Sequence, residues 1–317
     1  MIPYRPQLPV LVQAPPDGDQ WLHELKHDGY RMGLVIEHGK ARALSRNELD
    51  WTSGLPDVRA AAEALPVTSA VLDGELAVLL PDGRSSFQRL QNAFKGGKRQ
   101  GLVYFAFDLI FLDGENLTAL PLEERKAQLR TLLDAASKSP SIRYCDHVVG
   151  NGPAVFAQAR KLGCEGIVSK RRDLPYRSGR SDAWLKIKCT QKQEFVVGAF
   201  TERAGERNSI GALVLGYYDD EGRLACAGSV GTGKGWTAPF LHELRAGLEQ
   251  LRQESSPFAV PLPRELSRAA HWVRPALVVE VEFSEWTDEG SIRQSTFRGF
   301  RTDVAAADVR RERAREL

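Results

Sequence analysis

Glu24-Leu25-Lys26-His27-Asp28-Gly29-Tyr30-Arg31 places a lysine two residues before Asp-Gly and five before an arginine. A lysine amine attacks phosphorus only when unprotonated, so a nucleophilic Lys26 asks for neighbouring cations or a dry pocket that lowers its pKa. The other reading of the same hexapeptide is an Asp-Gly turn among charged surface residues. What lies downstream separates the two.

Leu72-Asp73-Gly74-Glu75-Leu76 follows an apolar stretch, and Tyr104-Phe105-Ala106-Phe107-Asp108-Leu109 reads as a buried strand carrying an aromatic and a carboxylate. Glu165-Gly166-Ile167-Val168-Ser169-Lys170 reads as another strand. In Trp184-Leu185-Lys186-Ile187-Lys188, the period of two puts Lys186 and Lys188 on one strand face, a cationic wall suited to a triphosphate. A phosphate-handling site is the reading that uses all of these blocks.

A chain of 317 residues, 42% hydrophobic and 26% charged, is long enough for two cores. No run of apolar residues is long enough to span a membrane, and Met1-Ile2-Pro3-Tyr4-Arg5-Pro6 lacks the apolar core of a signal peptide, so a cytoplasmic location is expected. Cys145, Cys164, Cys189 and Cys226 are scattered, without a CxxC pair, and read as reduced and structural. The net charge of +2 does not decide for or against nucleic acid, which needs only a local cationic surface.

Alternation predicts a hairpin of strands at 32–37 and 40–45 and a strand at 71–80. Helices are expected over 55–65, 87–94, 122–137 and 153–162. Neither G-x-G-x-x-G after a strand nor G-x-x-x-x-G-K-[ST] occurs, so the first part is expected to be an α/β (α+β) domain of mostly antiparallel sheet and not a dinucleotide fold. After about Lys188 short strands broken by Gly and Asp surround one helix at 239–252, the pattern of a small OB barrel, with final strands at 277–286 and 292–297. The boundary falls near 189–193, giving domains 1–190 and 191–317. The arginine-rich stretch 310–315 reads as a solvated helix end.

In this order the blocks resemble the motifs of the covalent nucleotidyltransferases, which comprise DNA ligases, RNA ligases and mRNA capping enzymes. The chain is most similar to the ATP-dependent ligase module of bacterial non-homologous end-joining ligases of the LigD type. Glu194-Phe195-Val196-Val197-Gly198-Ala199-Phe200, Gly211-Ala212-Leu213-Val214-Leu215-Gly216-Tyr217-Tyr218 and Ala227-Gly228-Ser229-Val230-Gly231-Thr232-Gly233 look like the segments opening that family's OB-fold domain.

The resemblance implies a lysyl-AMP on Lys26, with Glu24 reading the adenine amino group through its carboxylate or backbone. It places Arg31 and Arg46 on ribose and phosphates, where guanidinium forks suit phosphate oxygens. Phe107 would stack on adenine, and Glu75 and Glu165 would meet the ribose or a divalent metal, Mg²⁺ or Mn²⁺. Lys186 and Lys188 would contact the α-phosphate and the leaving pyrophosphate, and their field would depress the Lys26 pKa. Thr296-Phe297-Arg298-Gly299-Phe300-Arg301-Thr302-Asp303-Val304 resembles the last motif, R-x-D-K, in which the OB domain swings over to orient pyrophosphate; Arg301 and Asp303 match, but the lysine position is Val304. The residue after Arg46-Asn47, usually glycine or similar in the family, is Glu48 here.

The implied substrates are ATP and nicked double-stranded DNA, with a Ku-type end-binding protein and separate polymerase and nuclease modules as partners. Basic loops at Lys95, Lys98 and Arg99, and at Arg171, Arg172, Arg177 and Arg180, are candidate phosphate contacts. Two rival readings stand beside this one: an RNA ligase or GTP-using capping-type enzyme, and a catalytically weak nick- or end-binding module.

Overall fold

The computed structural model describes residues 3–95, 101–136, 139–203, 205–206, 208–233 and 236–315. It divides into two compact units, Met1–Cys189 with Arg313–Leu317, and Thr190–Glu312.

In the first unit the chain runs β1 (Gln7–Leu11), β2 (Trp21–Leu25), β3 (Tyr30–Glu37), β4 (Lys40–Ser45), α1 (Pro56–Glu63), β5 (Ser69–Val78), α2 (Phe87–Lys95), β6 (Leu102–Leu112) and β7 (Glu115–Asn116). It continues through α3 (Leu122–Ala135), β8 (Ile142–Tyr144), β9 (His147–Val149), α4 (Gly152–Lys161), β10 (Gly166–Arg171) and β11 (Gly179–Lys188). One sheet has the order β4-β3-β5-β6-β7 with β8 beside β6; the other has the order β1-β11-β10-β2-β9. Neighbours are antiparallel except β1 with β11 and β6 with β8.

The unbroken apolar run of β6 is explained by burial on both faces. Tyr104 and Ala106 enter a core with Val58 of α1, Leu90 of α2 and Leu129 of α3. Val103, Phe105 and Phe107 enter a second core with Tyr4, Tyr176 and Trp184, the last from β11 of the other sheet. Each buried Val, Leu or Phe among them contributes ~1.5–3 kcal/mol. The far face of the second sheet is closed by Ala159, Val155 and Phe156 of α4 against Ile167, Leu185 and Ile187.

Helix α3 starts after Pro121, carries Glu123 and Glu124 in its first turn, and buries Leu122, Arg125, Lys126, Leu129 and Leu132. It closes at Ala135, with Ala136 extended; Ser137, the expected end, lies outside the described residues.

The second unit contains β12 (Gln191–Thr201), β13 (Ala212–Tyr218), β14 (Leu224–Gly231), α5 (Ala238–Gln250), α6 (Arg264–Ala269), β15 (His271–Trp272), β16 (Val278–Phe283), β17 (Glu285–Trp286), β18 (Ile292–Arg293) and β19 (Thr296–Phe300). Its main sheet has the order β14-β13-β12-β16-β19, with β15 also on β12, and all pairings are antiparallel. Register shifts at Val197/Ala199, Leu215/Gly216 and Glu280/Val281 bend the strands as bulges do. Phe195 and Val197 pack in one apolar cluster and Val196 and Ala199 in another, so β12 too is buried on both faces.

Two expectations change here. The unit has a second helix, α6, which buries none of its residues and so carries no apolar stripe to read. The stretch 310–315 is not a helix end: Arg310 bridges Tyr218 and Arg315 bridges Val12, both in parallel sense, with no helix between them. Backbone pairing satisfies these peptides, so the arginine-rich composition was a poor guide. No described helix is long and apolar enough to cross a membrane.

Candidate active site

The site is built on the face of the second sheet that looks toward β6. Across β2, β10 and β11 the register aligns Glu24 with Val168 and Lys186. One step along, the Lys26 N–H donates to the Gly166 carbonyl at 3.0 Å, and Gly166 pairs with Lys188. Residues two apart share a face, so Glu24, Lys26, Lys186 and Lys188 stand on one side of three adjacent strands. A Cβ at Gly166 would lie 2.0 Å from the Ile187 carbonyl oxygen, which is why the middle of this row has no side chain.

The facing sheet supplies the complementary row, Arg31 of β3, Glu75 of β5 and Phe105 of β6. The segment after β2 is tied to this sheet: the Asp28 N–H donates to Ser85 Oγ at 2.7 Å, and the His27 ring stacks on Phe105 with centroids 3.8 Å apart and planes 12° apart. At Gly29 a Cβ would sit 2.1 Å from the Leu76 carbonyl oxygen, so only glycine lets the chain pass so close. The Asp-Gly dipeptide is therefore a bend pressed against β5, leading directly from Lys26 into β3. Burial pushes His27 down to about 4, so its ring is neutral at physiological pH.

Lys26 Nζ donates to Glu165 Oε1 at 2.6 Å, with the Glu165 side chain only 6% exposed. Burial acts to lower the lysine pKa, yet Glu165, Asp28 and Glu75 together raise it above the ordinary lysine range. This reverses the expectation that the lysines of β11 would depress it: the carboxylates are the stronger influence. Glu165 Oε2 is buried without a hydrogen-bond partner among the described residues, a carboxylate oxygen with the capacity for a cation or donor. Among the described residues no three His, Cys, Asp or Glu side chains converge as a ready metal cluster.

Three residues expected at the nucleotide have close protein partners in this structure. Both oxygens of Glu24 are taken by buried lysines, Oε1 by Lys126 at 2.5 Å and Oε2 by Lys170 at 2.6 Å. Arg31 forks onto Asp73 through Nε at 2.7 Å and Nη2 at 2.6 Å, and Asp73 also accepts from the hydroxyls of Tyr4 and Tyr176. Phe107 is buried, edge-on to Trp184, with the Arg31 guanidinium 4.3 Å and Lys170 Nζ 4.0 Å from its ring centre. Low dielectric makes these pairings stronger than any the sequence pattern could display. Arg46 follows β4, half-buried. Glu48 has φ 61, which explains a glycine preference at that position.

Arg125 and Lys126 were not singled out in the sequence, and Asp73, Asp108 and Lys170 were quoted there without the partners they take in the fold. A signal existed for Lys126: it falls on the stripe Leu122, Lys126, Leu129, where a lysine must find a partner.

In the second unit, Arg301 forks onto Asp303 at 2.8 and 2.7 Å and reaches Glu280 at 3.0 Å and Glu194 at 3.4 Å. A phosphate would compete with three carboxylates for it. Val304 is buried in an apolar cluster with Val309, Leu224 and Val278. Of the basic loops, Lys98 and Arg99 and the side chain of Lys95 lie outside the described residues. Arg171 is paired with Asp173 and Arg172 with Glu123, while Arg177 and Arg180 are exposed.

The model of the ATP dependent DNA ligase domain matches residues 13–188, and that of the ATP dependent DNA ligase C terminal region matches residues 206–304. The chain is 44% identical over 310 residues to the multifunctional non-homologous end joining protein LigD of Pseudomonas aeruginosa, covering 97% of this chain and 36% of that protein. It is 41% identical over 295 residues to the multifunctional non-homologous end joining DNA repair protein LigD of Mycobacterium tuberculosis, covering 92% of this chain and 38% of that protein. It thus spans little more than a third of the length of these relatives. The solved structure of mycobacterial DNA ligase D complexed with ATP and MES superposes with a TM-score of 0.69 at 38% identity, over 97% of this chain and 98% of that one. The ligase domain of M. tuberculosis LigD gives a TM-score of 0.53 at 37% identity, with 97% and 98% covered. The two units are accordingly a nucleotidyltransferase domain and an OB-fold domain, and the chain belongs to the ATP-dependent DNA ligase family.

Proposed function

We propose that this chain seals 5′-phosphate/3′-hydroxyl nicks in duplex DNA at the expense of ATP, as the ligase component of end-joining repair. The observation that carries the reading is Lys26 Nζ held 2.6 Å from Glu165 on the face that also presents Lys186 and Lys188. In the first step Glu165 takes the Lys26 proton, and the amine attacks the α-phosphate of ATP, forming the N–P bond of lysyl-AMP and releasing pyrophosphate. Lys186 and Lys188 stabilise the charge building on the phosphates. The AMP then passes to the 5′-phosphate at a nick, freeing Lys26. Finally the 3′-hydroxyl attacks that phosphate, closing the phosphodiester and releasing AMP. Each step is in-line phosphoryl transfer, in which positioning and charge stabilisation carry the rate.

A divalent cation, Mg²⁺ or Mn²⁺, would be held by Glu75 and Glu165, whose unpartnered Oε2 suits a hard cation, and would neutralise phosphate charge. Exposed Arg177 and Arg180 are candidates to meet DNA phosphates. A Ku-type end-binding protein, and polymerase and nuclease modules on the same or separate chains, are the partners this reading implies, and the cytoplasm the compartment.

Incubation with α-labelled ATP and divalent metal, then a denaturing gel and a chase with nicked DNA, tests the proposal. Label on the protein that disappears in Lys26→Ala and discharges as nicks close is the expected result. Label from GTP in place of ATP points to a capping-type enzyme, and no label after pyrophosphate pretreatment sinks the enzymatic reading.

A further inference from the structure

Behind the nucleophile lies a buried carboxylate with two ammonium partners that are not equivalent. Glu24, Lys126 and Lys170 have side chains only 2–3% exposed. Lys126 Nζ has three acceptors, Glu24 Oε1 at 2.5 Å, the Cys145 carbonyl at 3.1 Å and the Phe107 carbonyl at 3.4 Å. An ammonium has three protons, so Lys126 is saturated and fixed between β2, β6 and the chain entering β9. Lys170 Nζ is 2.6 Å from Glu24 Oε2 but lacks hydrogen-bonding geometry, and is otherwise surrounded by the rings of Phe107 and Trp184, each centred 4.0 Å away.

Two cations on one carboxylate leave a net positive charge in the interior, a costly arrangement that favours loss of a proton from the less well paired lysine, Lys170. Burial and the nearby Lys126 pull the Lys170 pKa down, while Glu24 pushes that of Lys126 up. The carboxylate itself stays ionised, held below its usual range by both lysines against the opposing effect of burial. Glu24 also shares its face with Lys26, two residues away, so a nucleotide joined to Lys26 through phosphate has its base within reach of this end of the sheet.

We propose that Lys126 is a positioning residue for base selection: it holds Glu24 as an ionised acceptor, and Lys170 is the partner that cedes Glu24 Oε2 to the 6-amino group of a purine. This rests on reading the site as an ATP site. An ionised acceptor welcomes a 6-amino donor and repels a 6-carbonyl oxygen, so the pair would separate adenine from hypoxanthine or guanine.

The test compares labelling of Lys26 by α-labelled ATP and by inosine triphosphate, which carries a 6-carbonyl and an N1–H in place of the 6-amino group and the N1 lone pair. The full chain is used as wild type, Lys126→Gln and Lys126→Arg. Circular dichroism of each variant checks folding, and sealing by the wild type of a nick already carrying AMP on its 5′-phosphate, a reaction that needs no ATP, runs in parallel. The wild type should favour ATP in kcat/KM by about 100-fold or more. Lys126→Gln should reduce that preference to about tenfold or less, chiefly through a higher KM for ATP, while keeping the circular dichroism of the wild type. Lys126→Arg, which keeps the charge, should keep the preference. A Gln variant that loses ATP and inosine triphosphate labelling in equal proportion, or an unchanged ratio, overturns the proposal. Should Lys126→Gln not fold, a reduced ratio in folded Lys126→Arg overturns it equally. Wild type that labels from neither nucleotide and seals no adenylylated nick overturns the ligase reading first.

Discussion

Lys26 and Glu165 form an ion pair of 2.6 Å, and its effect is to keep the nucleophile protonated. Glu165→Gln should therefore lower the apparent pKa governing Lys26 labelling, moving the rising limb of the pH–rate profile to lower pH. The maximal rate should nevertheless fall by ~100-fold or more, since the proton acceptor is lost. Labelling by α-labelled ATP across pH reads both, and an unshifted limb would contradict the assignment. Linkage has a matching sign. A lysine whose folded pKa is raised adds stability below its unfolded value near ~10.4, and loses it as pH climbs through the folded value. Alkaline unfolding of Glu165→Gln should lack that component.

Asp108 and Arg125 are both fully buried, joined by two bonds of 2.8 Å, and Arg125 further donates to the Leu120 and Leu174 carbonyls. Arg125→Met strands a carboxylate in the interior and should cost about 3–5 kcal/mol. Urea unfolding measures it; a loss below about 1 kcal/mol would mean that Asp108 reaches water or another donor.

Val304 occupies the position where the family resemblance expects lysine, and it is 9% exposed within an apolar cluster. Val304→Lys should lower stability by roughly 2 kcal/mol or more without speeding Lys26 adenylylation, because the ammonium is driven into apolar surroundings. Thermal melting together with ATP labelling decides; faster labelling would show that the position faces the reaction after all.

Glu48 sits at φ 61, with only a 3.9 Å exposed contact to Arg5 to lose. Glu48→Gly should stabilise the protein by about 0.5–1 kcal/mol, relieving the left-handed strain of a side-chain-bearing residue. Chemical denaturation measures the gain, and a net loss would mean that the extra freedom of glycine in the unfolded chain outweighs that relief.

The elements with strong local signals were legible. The hairpin at His38-Gly39, the apolar run of β6 and the amphipathic α3 are stated by turn chemistry and period within a few residues of where they occur. Helix α6 was not, because six residues with only Leu266 partly buried against an apolar cluster leave no periodic mark. At the site, alternation along β11 put Lys186 and Lys188 together, and the order of the blocks pointed to Lys26, Glu75 and Glu165.

Partner choice among charges was beyond the sequence. The chain alone put Lys186 and Lys188 on one face, because spacing along a strand fixes the face, and the family resemblance singled out Lys26, Glu75 and Glu165. Only the tertiary structure decided that Lys26 lies against Glu165, that Arg31 is spent on Asp73, and that Glu24 is shared by Lys126 and Lys170. Those partners lie at least 42 residues apart in the chain and come within 3 Å when β3 pairs with β5, when β2 pairs with β10, and when α3 packs Lys126 against Glu24. Burial then sets which opposite charge each group must take, and that is a property of three dimensions.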